Sequence, residues 1–240
     1  SGPSTAVDRM LSDMKSHSFR TFVIDDTMRA DHAAIIQDKL KNLKRLFTSS
    51  TIGALRMQKD TAEQKILRIN AQQADLAMQR AWEIIKPGLA EENIALAIHS
   101  SFFDQGASPQ FSIVASGENS AFPHHQTGSR KLKEGDAIVI DLGGRFERYT
   151  SDITRMSTIG NPHKDYALVH QIVEDAICAA LKAAIPGEVA KNIDKAAREA
   201  IEKEGFGKYF VHRTGHGLGT EIHEPPFITS SSETILEPGM

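Results

Sequence analysis

The chain has 240 residues, a net charge of −3 and a pI of about 6.4, which give no basic face for a polyanion and argue against nucleic-acid binding. Its hydrophobic fraction of 40% and charged fraction of 25% are typical of a folded protein in water. No apolar stretch approaches the ~20 residues of a membrane span, and the opening SGPSTAVDRM lacks the basic and apolar regions of a signal peptide.

Residues 1–55 are predicted to hold a strand and a helix. The segment FRTFVID, from Phe19 to Asp25, is short and apolar, as a strand should be, and a helical stretch follows over about Asp31–Lys44. A domain of fewer than ~60 residues is marginal by itself. We therefore interpret residues 1–55 as the end of a larger N-terminal α/β domain or as an appendage on the main domain, which covers residues 56–240.

A long helix is predicted from Asp60 or Thr61, either of which can cap it, to about Lys86. Pro87-Gly88 ends this helix, and a second helix follows over about Ala90–Phe103. Three segments then predict strands: QFSIVAS, DAIVIDLGG and RFERYTSDITRMST. The first helix is expected to bury the apolar side chains that recur at helical spacing, Ile66, Ile69, Leu76 and Trp82.

The same plan is repeated in the second half of the chain. Asn161-Pro162 is predicted to start a helix that ends near Ala184, a second helix covers about Val189–Glu204, and KYFVHR resembles a strand. The two halves correspond at a fixed offset of 99 residues, which maps Pro87-Gly88 onto Pro186-Gly187, Gly106 onto Gly205, Phe111 onto Phe210 and His124 onto His223. We therefore predict an α+β fold of two ααββ halves around a shared antiparallel sheet, with the site between them.

The single cysteine, Cys178, allows no intrachain disulfide. It lies in the helical apolar run EDAICAALKAAI, so it is expected to be a small buried apolar residue. Low cysteine use is typical of a reducing compartment, and we therefore expect a cytoplasmic protein.

Two aspartates and a histidine are the candidate metal ligands. Asp141 ends an apolar strand, where an unpaired carboxylate would be costly to bury, Asp152 follows eleven residues later, and His216 stands between glycines in GHGLG. Either aspartate alone could be an ordinary turn or edge residue. Together with the histidine they offer the hard oxygen and imidazole donors that divalent metals prefer, and they indicate a metal site.

Further histidines are candidates for contact with a substrate. His124 and His223 are related by the offset of 99 residues, so they could flank a metal centre, hold a carbonyl oxygen and shuttle a proton. His125 either shares this role or is a bystander, His212 clusters with the histidines of GHGLGTEIH, and Glu224 is either an acid or, as we prefer, a turn residue behind the site. We expect the remaining histidines to be surface or core residues: His17, His32, His99, His163 and His170.

The motifs FPHH, IDLGG followed by TSDITR, and HRTGHGLGTEIHEPP resemble those of the pita-bread metallopeptidases (family M24), which include methionine aminopeptidase, aminopeptidase P and Xaa-Pro dipeptidase (prolidase). The resemblance covers about residues 56–240, and the proline-directed branch is the most similar. It implies that Asp141, Asp152 and His216 bind two divalent ions (Mn²⁺, Co²⁺ or Zn²⁺), with Asp152 bridging them. It also implies that His124, His216 and His223 contact the substrate, with His124 and His223 acting in catalysis.

The resemblance further implies an activity and partners. The enzyme would be a dinuclear metallopeptidase whose metal-bridging hydroxide hydrolyses the bond before a proline at the second position of a peptide, as an Xaa-Pro dipeptidase or an Xaa-Pro aminopeptidase. It would be a homodimer at full length, with no nucleic-acid or membrane partner. The family pattern includes two glutamate ligands beyond Met240, so we expect this sequence to be an internal part of a longer enzyme and to bind metal weakly by itself. Two alternatives remain open: a non-catalytic peptide- or protein-binding member of the same fold, and metal-free hydrolysis of the creatinase kind.

Overall fold

The structure is a computed structural model that describes residues 3–14 and 18–240. His17 lies outside the described residues. The chain forms two compact units, Ser1–Arg56 and Met57–Met240, which we describe separately. Within the described ranges, no helix is both long enough and apolar enough to cross a membrane.

The first unit contains a parallel β-α-β arrangement. Its elements are α1 (Pro3–Met14), β1 (Thr21–Ile24), α2 (Ala30–Lys39), β2 (Lys44–Phe47) and the start of α3 (Ile52–Met57). The predicted strand in FRTFVID is confirmed, but the predicted helix was wrong beyond Lys39. Residues 44–47 form β2 instead, because their backbone pairs with β1 and this tertiary pairing outweighs the helical propensity of the lysine-rich segment.

The first half of the second unit is two helices followed by an antiparallel sheet. Its elements are α4 (Thr61–Ile84), α5 (Glu91–Asp104), β3 (Ser108–Ser116), β4 (Ala137–Phe146), β5 (Tyr149–Thr150) and β6 (Ile153–Thr158). The central strand, β4, pairs with β3 on one side and with β5 and β6 on the other. The helices pack on one face of this sheet and form the main hydrophobic core. These elements confirm the predicted order of helices and strands.

Helix α4 begins where the sequence predicted but buries a different face. Asp60 accepts hydrogen bonds from the N–H groups of Ala62 and Glu63, and the Glu63 carboxylate accepts one from the N–H of Asp60, which completes a capping box. The predicted core face was wrong, because Ile69, Leu76 and Trp82 are exposed. The buried face is made mostly of small and polar residues that let the helix approach the sheet: Asn70, Gln73, Ala74, Ala77, Met78 and Ala81.

The second half repeats the helix pair with shorter strands. Its elements are α6 (Tyr166–Ala183), α7 (Ala190–Lys203), β7 (Gly215–Gly217) and β8 (Glu224–Ile228). Asn161-Pro162 does not start α6, because a turn closed by the Tyr166 N–H and the His163 carbonyl oxygen intervenes. KYFVHR is not a strand: Arg198 on α7 donates hydrogen bonds to backbone carbonyls of this segment and draws it to the helix. Cys178 is exposed, contrary to expectation, because it lies on the face of α6 away from α7.

Backbone hydrogen bonds repeat between the two halves. Gly88 and Gly187 both have positive φ, and their N–H groups donate to Leu132 and Leu236, respectively, each at 2.8 Å. The turn glycines that follow these leucines, Gly135 and Gly239, also both have positive φ. The offset is therefore 99 residues at the first pair but 104 at positions 135 and 239, so the second half holds five extra residues after its histidines.

This change of offset sets which positions correspond near residue 240. Glu237 corresponds to Lys133 at the start of a turn, because the offset is 104 residues there. The predicted single shared sheet was wrong for the described strands, because β7 and β8 pair only with each other. A backbone hydrogen bond of 2.9 Å from the Thr150 N–H to the Gly219 carbonyl oxygen joins the two halves beside the sheets.

Candidate metal centre

The sheet of the first half has one face toward the helices and one toward a cavity. Ile138, Ile140 and Leu142 of β4 are fully buried against α4 and α5. Successive side chains of a strand point to opposite faces, so Val139 and Asp141 point away from the helices. The apolar run AIVI therefore forms the hydrophobic core on one side and places a carboxylate on the other.

A cavity of about 310 Å³ lies on this second face. The strand register places Ile113 of β3 and Thr154 of β6 beside Asp141. Both halves of the unit contribute to the lining, which consists of Ile113, Ala115, Ser120, Phe122, Pro123, His124, Val139, Asp141, Asp152, Thr154, His212, His216 and His223. All five residues predicted for the site are thus brought together here, although they span a hundred residues of sequence.

Asp152, His216 and His223 form the tightest cluster of possible metal ligands. Each offers one ligand atom, and these atoms lie within 4.8 Å of one another. His216 Nε2 is 3.4 Å from Asp152 Oδ2, and its Nδ1 is 2.9 Å from the carbonyl oxygen of Gly217. A carbonyl oxygen can only accept, so Nδ1 carries the proton that it donates, and the lone pair of the neutral ring is on Nε2.

Asp141 lines the same cavity but lies outside this cluster. Its Oδ1 accepts a hydrogen bond of 2.7 Å from the hydroxyl of Thr154, the residue opposite it on β6. Burial raises the pKa of the Asp141 carboxyl, and the nearby charge of Asp152 raises it further. Two carboxylates thus face one cavity at a cost that a cation would offset.

The pKa values of the two histidines in the cluster, His216 and His223, shift in opposite directions. The carboxylate of Asp152 raises the pKa of His216 above its ordinary value of 6.5. His223 is exposed by surface area, but partial desolvation lowers the pKa of its imidazole, and the neighbouring His216, whose ring centroid is 4.4 Å away, lowers it further. The carboxylate of Asp152 therefore stabilises the protonated form of His216, whereas His223 favours its neutral form.

This donor set fits a divalent metal ion. A carboxylate oxygen and two imidazole nitrogens converge within 4.8 Å, and a second carboxylate faces the same cavity. Oxygen and imidazole donors of this kind suit Mn²⁺, Co²⁺ and Zn²⁺. Sequence reasoning had grouped Asp141 with Asp152 and His216, and the structure adds His223 within ligand reach of the latter two.

His124 and His212 stand at the margin of the cavity. Both are exposed, and their ring centroids are 6.1 Å apart. His212 was given no role from the sequence, although it precedes His216 by four residues. Its signal was only the local density of histidines, because its place in the cavity depends on the backbone that Arg198 holds.

Two residues next to the cavity histidines turn away from it. The imidazole of His125 lies 2.9 Å from the buried carboxylate of Glu91, and the Glu224 carboxylate is buried and lies 2.7 Å from the Lys59 ammonium. Neither lines the cavity. The preferred interpretation of Glu224, a residue behind the site, agrees with this placement. The other histidines expected at the surface or in the core, His32, His99, His163 and His170, also lie outside the cavity.

A model of metallopeptidase family M24 matches residues 65–240. The chain is 38% identical over 219 residues to a probable dipeptidase PepE of Mycobacterium bovis, covering 90% of this chain and 58% of that protein. It is 38% identical over 206 residues to a Xaa-Pro dipeptidase of Pyrococcus furiosus, covering 85% of this chain and 59% of that one. The chain thus spans about three fifths of the length of these curated relatives.

Solved structures show the same relationship. A prolidase from Thermococcus sibiricus superposes with a TM-score of 0.90 at 34% identity, over 98% of this chain and 65% of that chain. The likeness confirms the predicted pita-bread fold.

Proposed function

This chain belongs to metallopeptidase family M24, and from that premise we propose that the protein hydrolyses the peptide bond before a proline in a reaction that depends on divalent metal ions. The observation that carries the proposal is one cavity that Asp141, Asp152 and His216 line together, with His223 within reach of the latter two. Relatives that are named Xaa-Pro dipeptidase support the choice of substrate.

We infer that Asp141, Asp152 and His216 hold two ions, which would be Mn²⁺, Co²⁺ or Zn²⁺. Asp152 Oδ2 lies 3.4 Å from His216 Nε2, and Asp152 lines the same cavity as Asp141, so Asp152 would hold an ion together with either of them. Ions bound there would lower the pKa of coordinated water and polarise a carbonyl group. The protein's contribution is to direct oxygen and nitrogen donors to one point before the substrate arrives.

His124 and His223 are proposed to act on the substrate. Both lie in the cavity, one from each half of the unit. His223 favours its neutral form, which can accept a hydrogen bond or a proton at neutral pH. His124 is exposed at the cavity margin, where it can donate a hydrogen bond to the scissile carbonyl oxygen. His216 would contact the substrate as well as metal.

The apolar side of the cavity suits a proline. Five of its lining residues are apolar: Ile113, Ala115, Phe122, Pro123 and Val139. A prolyl ring presents an apolar surface and lacks the backbone N–H that other residues would need to satisfy. We therefore infer that this wall receives the ring, while the histidines face the bond to be cleaved.

The test uses the natural polypeptide that contains this sequence. After chelation, it is titrated with Mn²⁺ by calorimetry, and hydrolysis of Ala-Pro, Ala-Pro-Ala and Ala-Ala is followed. We expect hydrolysis of the proline peptides that requires metal and exceeds that of Ala-Ala. The comparison of Ala-Pro with Ala-Pro-Ala distinguishes a dipeptidase from an aminopeptidase.

Asp152→Asn should lower kcat/KM by more than about 100-fold. Substituting a residue that only hydrogen-bonds to a metal ligand already costs about 10–100-fold, and loss of a ligand itself should cost more. Asp75→Asn, on an exposed position of α4, is the matched control and should leave activity unchanged. Hydrolysis without metal, or full activity of Asp152→Asn, would overturn the proposal. Peptide binding without hydrolysis would instead support a non-catalytic role for the fold.

A further inference from the structure

Two cavity histidines, His124 and His223, are each followed in sequence by a residue whose side chain contacts a buried charged residue. His124 is followed by His125, which contacts Glu91, and His223 is followed by Glu224, which contacts Lys59. The pairs occupy equivalent places, since His125 and Glu224 are 99 residues apart. In both halves, one side chain enters the cavity and the next is anchored behind it.

Glu91 is the anchor of the first half. Its carboxylate is fully buried at the start of α5 and accepts hydrogen bonds from the Ser116 N–H at 2.8 Å, the Ser116 hydroxyl at 2.6 Å and the Asn119 amide at 3.0 Å. The remaining oxygen lies 2.9 Å from His125 Nε2. The helix N-terminus further stabilises the negative charge. The segment that carries His124 is thus tied to α5 and to the end of β3.

Lys59 is the anchor of the second half, although it lies in the first. Its side chain is only 6% exposed and that of Glu224 only 5%. A Cβ on Gly219 would lie 2.5 Å from a Glu224 carboxylate oxygen, so the carboxylate packs against the backbone of the loop between His216 and His223. Lys59 therefore connects the segment before α4 to the strand that follows His223.

Burying charged groups is an expensive way to gain stability, because desolvation offsets most of their attraction. Two such contacts, each made by the residue that follows a cavity histidine at the equivalent position of its half, are better explained by the orientation of those histidines. We propose that Glu91 and Lys59 are positioning residues that set the direction of His124 and His223. The expected effect on catalysis rests on the proposed function, whereas the effect on the histidine rings does not.

The decisive variant replaces the whole Lys59–Glu224 pair by apolar side chains, Lys59→Met with Glu224→Met. An apolar pair of similar size removes the lysine and the glutamate together, so neither is left buried without the other. We expect kcat to fall about 10–100-fold with a much smaller change in KM. Asn70→Ala is the matched control: Asn70 is also buried, and its amide bonds to the backbone of Phe146, which does not line the cavity.

A second measurement does not require activity. The protein is labelled with ¹³C in its histidine rings, and the metal-free form is recorded by NMR, with signals assigned from His124→Gln and His223→Gln. The apolar pair should shift the His223 signal and leave His124 in place, whereas Glu91→Gln should do the reverse. Lys59→Met with Glu224→Gln, which likewise removes both charges together, serves as the second variant if the double methionine substitution does not fold.

The two readouts separate the possible failures. Unmoved histidine signals, or a kcat equal to that of Asn70→Ala, would overturn the positioning role. Shifted signals in a protein that hydrolyses no peptide would uphold the positioning role and reject the proposed function.

Discussion

At the scale of single residues, a glycine decides where a candidate ligand lies. Gly143 is on β4, two residues after Asp141, and a Cβ there would lie 2.2 Å from the Ser151 carbonyl oxygen. The absence of a side chain lets the segment before Asp152 return against β4. There the N–H of Ser151 donates to the Gly144 carbonyl oxygen at 2.9 Å. IDLGG is therefore a packing motif as well as a source of a carboxylate.

Gly143→Ala should destabilise the protein by about 1–3 kcal/mol, because the backbone of residue 151 must move to admit the new methyl group. The measurement is the free energy of unfolding in denaturant. Gly128→Ala is the control, since its Cβ would meet no atom closer than 3.8 Å, and it should change stability by less than about 0.5 kcal/mol. Equal effects of the two substitutions would contradict the close-approach argument.

At the scale of elements, helix α4 shows which local features can be predicted from the sequence and which cannot. Its start was predicted because Asp60 or Thr61 can cap a helix, and the structure shows that Asp60 does so, in a capping box with Glu63. The buried face of α4 was not predicted, because the interface with the sheet uses small residues, Ala74, Ala77 and Ala81. Their weak hydrophobicity is masked in the sequence by the larger but exposed Ile69 and Trp82. A close helix–sheet contact selects small side chains, whereas a hydrophobicity pattern favours large ones.

Asp60→Ala should lower the free energy of unfolding by about 1 kcal/mol, because two N–H groups of the first turn lose their acceptor. Thermal or denaturant unfolding of the variant measures this loss. Asp75→Ala, exposed in the middle of the same helix, changes the same residue type without a cap and should cost much less. A loss as large for Asp75 as for Asp60 would show that the cap is not the cause.

At the scale of the whole molecule, three buried carboxylates hold separate parts of the fold together. Burial alone would raise the pKa of Glu91, Asp136 and Asp194, but hydrogen bonds from their partners outweigh it and lower all three. The partners include Ser116 and His125 for Glu91, with Arg130 and Arg198 for the two aspartates. Each carboxylate is thus more stable ionised in the folded state than in the unfolded chain.

A carboxyl group whose pKa is lower in the folded state than in the unfolded chain stabilises the fold. This contribution is complete when the pH is above the pKa of the unfolded chain, and it is lost as the pH falls through the pKa of the folded state. We therefore expect the free energy of unfolding to decline as the pH drops below 4.5 for Glu91 and below 3.8 for the aspartates. Unfolding in denaturant at a series of pH values measures the slope. Glu91→Gln should flatten it, and Glu92→Gln, exposed on the same turn, should not.

The sequence by itself determined the family motifs, the order of the helices and strands from α4 to β6, and five of the residues that meet in the cavity: His124, Asp141, Asp152, His216 and His223. These follow from local signals: Asp60 before a helix, Pro-Gly after it, and aspartates and histidines in motifs read over a few residues. Tertiary structure decided what local signals do not encode: the alanine face of α4, the strand β2, the carbonyls of KYFVHR held by Arg198, and the shift of the repeat from 99 to 104 residues. It also turned His125 and Glu224 away from the cavity, because their partners Glu91 and Lys59 lie 34 and 165 residues away in sequence and are brought near only by folding.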